Sequence, residues 1–319
     1  PESAVAQLEA DAYYRFITYA LVPVLWGAFV FAAWFVASHE LPWYAWLAMV
    51  LNTGAVGGFG INLGHEMGHK HHRLERWLAL ITLAPSGYGH FTIEHNRGHH
   101  VDVATPADPA SAKMGQSIYG FAITEISGAV RRAWNSEKAR LARNGQGPWT
   151  LDNEVLQPLL ITVVLYGGLL LAFGWVMIPF LFVQALWGWF GILTSANYIE
   201  HYGLLRKKLE NGRYERCQPH HSWNANHTYT NLVLFQLERH SDHHANAARR
   251  YQSLRHFPDL PQLPSGYFGM FPLAYVPSLW FKVMDPRLLA LPHIRGDFSR
   301  VNVCPARREA LIARYTAAA

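Results

Sequence analysis

Long stretches without a charge organise this chain. Residues 16–38 contain no Asp, Glu, Lys or Arg, neither do 41–64, and the run 155–199 is uncharged throughout. A helix that crosses a bilayer needs about 20 mostly apolar residues. The first two runs therefore predict one span each. The third predicts two, about 155–174 and 177–199, with Gly174 and Pro179 as turn elements near its middle. The expected fold class is all-α: a polytopic membrane helical bundle, residues 1–319 forming one membrane domain, with a His-rich cap from segments 65–150 and 200–319. The first run is too long for the apolar core of a signal peptide and ends in no small-residue cleavage site, since Glu40-Leu41-Pro42 leads straight into the next run.

The segments between the spans are more varied. Residues 1–14 read as a short polar helix. Residues 77–93 are uncharged but broken by Pro85, Gly87 and Gly89, which predicts an interfacial or re-entrant segment that must pack inside protein. Residues 112–143 and 231–250 carry helical patterns, and 206–230 read as a polar loop. Residues 257–292 are rich in Pro and aromatics and suit a cap at headgroup level. In the second span, Gly54, Gly57, Gly58 and Gly60 suit close helix packing first, and a substrate-tunnel wall second.

Charge adds an orientation. The chain has 27 Lys and Arg against 22 Asp and Glu, a net charge of +5. The basic residues fall at Arg15, Lys70–Arg143 and Arg206–Arg314, which two hairpins bring to one membrane face. The positive-inside rule assigns that face to the cytoplasm. The basic excess is thus a topology signal, and a surface for anionic lipid or an acidic partner, with no call for nucleic acid. The two cysteines, Cys217 and Cys304, lie far apart with no CxxC, which excludes a disulfide framework, a zinc ribbon or a rubredoxin-type iron site within this chain. Pro1 at the start and the closing alanines suit a trimmed chain.

The candidate chemistry lies in the 18 histidines. His65 and His69 are one helical turn apart where the second span ends, so a helix puts both on one face. His95, His99 and His100 give a second such pair plus an adjacent imidazole rotated by about 100°. His240, His243 and His244 form a third box, and His201 stands alone where the fourth span ends. All nine converge on one membrane face by topology. Neutral imidazole is a ligand for iron, zinc, copper and nickel, and nine are too many for one ion, so two metals are expected. Glu66, Glu94, Glu200, Asp242, His90 and His227 are neighbours that could hold ligand N–H groups, or could simply be solvated or capping groups. His71 and His72 read as interfacial, His220 and His221 as surface, and His39, His256 and His293 as no ligands. His65-Glu66-Met67-Gly68-His69 also matches the zinc-protease pattern HExxH, but that chemistry needs three ligands and a water and leaves the other histidines unexplained.

These boxes carry a resemblance. His65-Glu-Met-Gly-His69-Lys70, Glu94-His95-Asn-Arg-Gly-His99-His100, Asn197-Tyr-Ile-Glu-His201-Tyr-Gly203 and Leu237-Glu-Arg-His240-Ser-Asp-His243-His244 resemble the motifs of the bacterial integral-membrane alkane monooxygenases, non-haem di-iron enzymes. The flanks Asp102–Ser111, Arg249–Arg255 and Leu263–Gly266 are similar too, and the likeness covers roughly 60–290. It implies two iron ions as cofactor and O₂-activating terminal hydroxylation of medium-chain alkanes. Electrons would come from rubredoxin, with rubredoxin reductase upstream. The place would be the bacterial inner membrane, with the site facing the cytoplasm. Members of that family usually have about six spans, so an N-terminal hairpin is expected outside this numbering, and a fused rubredoxin after Ala319 is a further option. The rival readings are a membrane fatty-acyl desaturase or hydroxylase, a methyl-aromatic (xylene-type) monooxygenase, and, from another class, a metal transporter or binding protein. A transporter would place its ligands near the bilayer midplane, whereas these lie at and beyond the span ends.

Overall fold

The computed structural model describes residues 2–316. Among them the chain is helical, with isolated bridges but no strand. Four helices are long and apolar enough to cross a membrane: Ala12–Ser38, Trp43–Gly68, Leu156–Phe173 and Met177–Glu200. They cover the four uncharged runs. The Asp11 carboxylate caps the first by accepting from the Tyr13 N–H at 2.9 Å. The third stops at Gly174, whose φ of +76° turns the chain out of the helix.

Contacts divide the chain into two compact units. One holds the chain up to Arg97 with Ala129–Leu193 and Ala248–Ser253. The other holds Gly98–Gly128, Thr194–Ala247 and the chain from Leu254 onward.

In the first unit the second and fourth spans touch backbone to backbone. A Cβ on Gly54 would stand 2.5 Å from the Gln184 carbonyl oxygen, one on Gly58 2.4 Å from Ile192, and one on Gly188 2.8 Å from the Gly54 carbonyl. These glycines serve packing, the use that small residues have where lipid removes the hydrophobic drive between helices. Further along the second span, the helix Arg73–Leu83 lies against Gly60 and Gly64, where a Cβ on Gly64 would meet Leu83 at 2.9 Å. Phe29, Ala33, Val50, Phe180 and Leu181 form an apolar cluster between the spans. Phe31, Val163, Val164, Leu171 and Phe182 stay exposed, the outward apolar surface expected of helices solvated by lipid.

The broken segment after Leu83 is a 3₁₀ turn, Ala84–Ser86, closed by Gly87 at φ +66°. Its carbonyls would be costly in an apolar setting without donors. Polar side chains of the third and fourth spans satisfy them. Thr162 donates to Ala84 at 3.1 Å, Tyr166 and Gln184 to Pro85 at 3.0 and 2.9 Å, and Trp189 to Ser86 at 2.7 Å.

The second unit is built on buried aromatics. Tyr202 donates to Asp285 at 2.7 Å, Trp223 donates to the Tyr202 carbonyl at 3.0 Å, and Trp280 packs edge-on against Tyr202. The tail from Arg300 pairs back through bridges of Val301 with Leu204 and Val303 with Met114. Two expectations change. The amphipathic helix starts at Ile118 rather than 112. The stretch 231–250 is not one helix: Thr228–Val233 and His240–Ala245 are separated by Phe235 and Gln236, both in the left-handed region, and the Gln236 N–H closes on the Asn231 carbonyl at 2.8 Å.

The contact of the second and fourth spans is testable. Gly54→Ala should destabilise the solubilised protein by about 1–3 kcal/mol. Gly167→Ala, facing open space on the third span, should be neutral or stabilising by up to about 1 kcal/mol. Equal melting temperatures for the two variants would show that the backbones do not meet at Gly54.

Candidate metal centre

Three of the nine histidines lie in the first unit. His65 and His69, one turn apart, have ring centroids 4.8 Å apart, and His95 lies 4.6 Å from His65 and 5.1 Å from His69. Phe91 stacks on His95 at 4.8 Å. The flanking polar groups lock the backbone. Lys70 pairs with Glu66 at 3.0 Å and donates to the Arg249 carbonyl at 2.7 Å. Asn96 donates to the Gly68 carbonyl at 3.0 Å and so ties the second box to the first.

The second unit holds the other six. His99, His201, His240 and His244 bring their ligand nitrogens within 4.8 Å of one another. The Nε2 of His240 faces that of His201 at 3.0 Å and that of His244 at 3.0 Å, and the Glu200 carboxylate stands 3.4 Å from the same His240 nitrogen. His100 and His243 meet through their Nε2 atoms at 3.2 Å.

The far nitrogens decide what the near ones offer. Asp108, fully buried, accepts from His99 Nδ1 at 2.9 Å and from Ser111 Oγ at 2.6 Å. The His221 carbonyl accepts from His201 Nδ1 at 2.9 Å. A carboxylate or carbonyl can only accept, so both rings carry their proton on Nδ1 and aim the Nε2 lone pair inward. Burial pushes His201 down to about 3 and His244 well below its usual range, so both stay neutral, the form that ligates.

This donor set fits a metal ion. His201 Nε2 is a bare lone pair, and His240 Nε2 has at most one proton for two facing nitrogens, so hydrogen bonds alone do not satisfy the group. Two ligand nitrogens about 2.1 Å from one ion, at right angles, lie about 3.0 Å apart, the spacing seen here. Four imidazoles beside a carboxylate suit iron, zinc, copper or nickel. A third set, Glu215, His220 and His221, differs. His221 Nδ1 accepts the Gln218 N–H at 2.9 Å, so the proton sits on its Nε2, the nitrogen that faces Glu215.

The second box departs from the expected α-helical pair. His95–His99 is a π-turn, wider than an α-turn, and residues four apart no longer stack on one face. His95 joins His65 and His69, while His99 joins His201, His240 and His244. A second π-turn, Trp189–Thr194, precedes Glu200 and His201 in the fourth helix.

The candidate supporting residues fall as follows. Glu200 is the one whose carboxylate reaches an imidazole of the four, and Tyr267 donates to it at 3.1 Å. Glu66 holds Lys70 and the Tyr251 N–H, Glu94 pairs with Arg132, and Asp242 pairs with Arg255. His90 is buried against Tyr88, and burial lowers it to about 4. His227 is exposed at its ring, and its backbone N–H donates to Glu238 at 2.6 Å. His221, expected at the surface, is instead buried by the 3₁₀ turn Pro219–His221, which carries its carbonyl to His201. Asp108, Tyr267 and His221 carry no spacing signal of their own. Only the Asp102–Ser111 flank pointed toward Asp108.

Comparison with known proteins gives the group a family. The fatty acid desaturase family model matches residues 41–274. Alkane 1-monooxygenase 1 of Alcanivorax borkumensis is 54% identical over 309 residues, 97% of this chain and 76% of that protein. Alkane 1-monooxygenase of Pseudomonas putida is 52% identical over 316 residues, 99% of this chain and 78% of that protein. The xylene/toluene monooxygenase hydroxylase component of Pseudomonas putida is 32% identical over 258 residues, 79% of this chain and 64% of that protein. With long apolar helices, clustered histidine boxes and these relatives along nearly its whole length, the chain belongs to the alkane 1-monooxygenase family, membrane monooxygenases within the wider fatty acid desaturase family.

Proposed function

We propose that this protein hydroxylates the terminal carbon of medium-chain n-alkanes with O₂, at two irons held by His65, His69, His95, His99, His100, His201, His240, His243 and His244. The observation that carries the reading is the four-histidine set of the second unit, three of them buried and His244 half-buried, with two of its rings anchored by Asp108 and the His221 carbonyl. The similarity to alkane 1-monooxygenases supplies the substrate class. Bound iron would supply the activation of O₂. The reaction balances with one oxygen atom delivered to the alkane, the other leaving as water, and two electrons and two protons taken up.

The chain's own residues do the positioning. Asp108 and the His221 carbonyl fix which nitrogen of His99 and His201 carries the proton. Tyr267 orients the Glu200 carboxylate beside His240. The apolar spans hold the alkane by burial, at about 0.8 kcal/mol per methylene, so chain length rather than hydrogen bonding selects the substrate. We place the site on the cytoplasmic face of a bacterial inner membrane, which the crowding of basic residues on one set of loops supports. The electron donor is rubredoxin, acting in trans or fused after Ala319, since Cys217 and Cys304 alone cannot make a four-thiolate iron site within residues 1–319. A second reading, hydroxylation of methyl-aromatics, rests on the likeness to the xylene/toluene component.

Purified protein should contain about two irons per chain, and a variant with His99, His201, His240 and His244 all changed to Ala should lose iron while keeping its helicity. Zinc at one per chain, or undiminished iron in the variant, would overturn the assignment. With rubredoxin and its reductase, octane should give 1-octanol faster than xylene gives methylbenzyl alcohol; the reverse order would favour the second reading.

Removing the anchor should weaken the metal without touching a ligand. Asp108→Ala should lower iron affinity by about 10–100-fold in a chelator titration, and Asp108→Asn less, because its amide oxygen can still accept from His99. Equal losses would show that Asp108 acts through its charge alone.

The donor should meet basic surface. Neutralising exposed Lys207, Lys208 and Arg213 should slow electron delivery and flatten its dependence on salt; unchanged rates and salt slope would exclude that docking face.

A further inference from the structure

A cavity of about 700 Å³ in the first unit has no part in the site described above. Its depth in the bilayer is set by its walls. Gly68 is the last residue of the second span, and Gln157 is in the first turn of the third, so it opens where the spans meet the membrane surface. Four arginines line it. Arg97 is spent on Glu137 at 2.7 Å and Glu154 at 2.5 Å, and Arg140 on Glu137 at 2.8 Å. Arg73 and Arg76 have no carboxylate within ion-pair distance among the described residues.

The Arg73–Leu83 helix grades this wall. Arg73, Arg76, Trp77 and Leu80 fall three to four residues apart and share the cavity face. The guanidiniums come first, and Trp77 and Leu80 follow within about 10 Å of helix axis. The other face is committed, with Glu75 paired to Arg250 at 2.8 Å and Ala79 fully buried. The cavity therefore joins two cations that lack an ion pair to an apolar end at headgroup depth, with the Asp152 carboxylate on its wall held by Gln146 at 2.7 Å.

We propose that this cavity binds one anionic phospholipid, its phosphate held by Arg73 and Arg76 and the start of an acyl chain lying along Trp77 and Leu80. Guanidinium forks match phosphate oxygens in pairs. Tryptophan favours the headgroup boundary, and an anionic leaflet supplies such lipids at high local concentration. Free phosphate would use the arginines but leave Trp77 and Leu80 uncovered. An acidic protein segment would have to reach membrane depth to do so.

The test is native mass spectrometry of the whole protein with phosphatidylglycerol and phosphatidylcholine. The protein should retain phosphatidylglycerol in preference to phosphatidylcholine. An Arg73→Gln/Arg76→Gln variant should lose about 30-fold in affinity for the anionic lipid only, while Arg131→Gln, another exposed cation, should match the unaltered protein. Photoactivatable phosphatidylglycerol added to the unaltered protein should label the peptide that carries Trp77 and Leu80, a result independent of how the variant folds. Equal retention of the two lipids, equal affinity in the double variant, labelling elsewhere, or displacement by millimolar inorganic phosphate would each overturn the proposal.

Discussion

Imidazole lone pairs do not attract one another, yet the second unit gathers four imidazoles, three of them buried, with the His240 nitrogen 3.0 Å from those of His201 and His244. That arrangement is costly for a protein to make from side chains alone, because each buried polar atom has given up water. It is held by bonds on the far side of the rings. Asp108 anchors His99 in this way and the His221 carbonyl anchors His201, while on the inward side Tyr267 holds the Glu200 carboxylate beside the Nε2 of His240. The fold of the second unit largely serves to deliver these groups. The Pro219–His221 turn is buried to bring one carbonyl to one ring. The chain breaks at Phe235 and Gln236, and the short helix His240–Ala245 then starts on its first histidine.

A different economy governs the first unit. Lipid gives helices no hydrophobic reason to associate, so close backbone approach and satisfied carbonyls take over. Gly54, Gly58 and Gly188 let the second and fourth spans touch. Thr162, Tyr166, Gln184 and Trp189 donate to the carbonyls of a turn that would otherwise be unaffordable away from water. The rigid second span then presents His65 and His69 at its end, and Asn96 fastens His95 beside them.

Both π-turns are tied to metal-candidate histidines: the first carries His95 and His99, and the second precedes the Ser195–Glu200 turns that end at His201. A π-turn sacrifices good helical geometry, so it persists where the surroundings over-determine it. At His95–His99 it separates two imidazoles that an α-helix would have aimed together. At Trp189–Thr194 it resets the end of the fourth helix before Glu200 and His201.

The sequence by itself determined the spans and the histidine-bearing boxes, because uncharged length and helical spacing are local properties that a chain writes directly. The one-turn spacing of His65 with His69, and of His240 with His244, needed nothing beyond a helix. Tertiary structure alone decided which histidines keep company, since the split of His95 from His99 depends on a π-turn that spacing does not encode. It also decided the anchors. Asp108, the His221 carbonyl and Tyr267 matter only through partners distant in the chain, and a backbone carbonyl has no residue type to read. The same reason hid the difference between Glu200 and its fellow carboxylates Glu66, Glu94 and Asp242. All four neighbour a histidine in sequence. Cations nearby claim three of them, Lys70, Arg132 and Arg255, whereas Glu200 stands against His240 of the four.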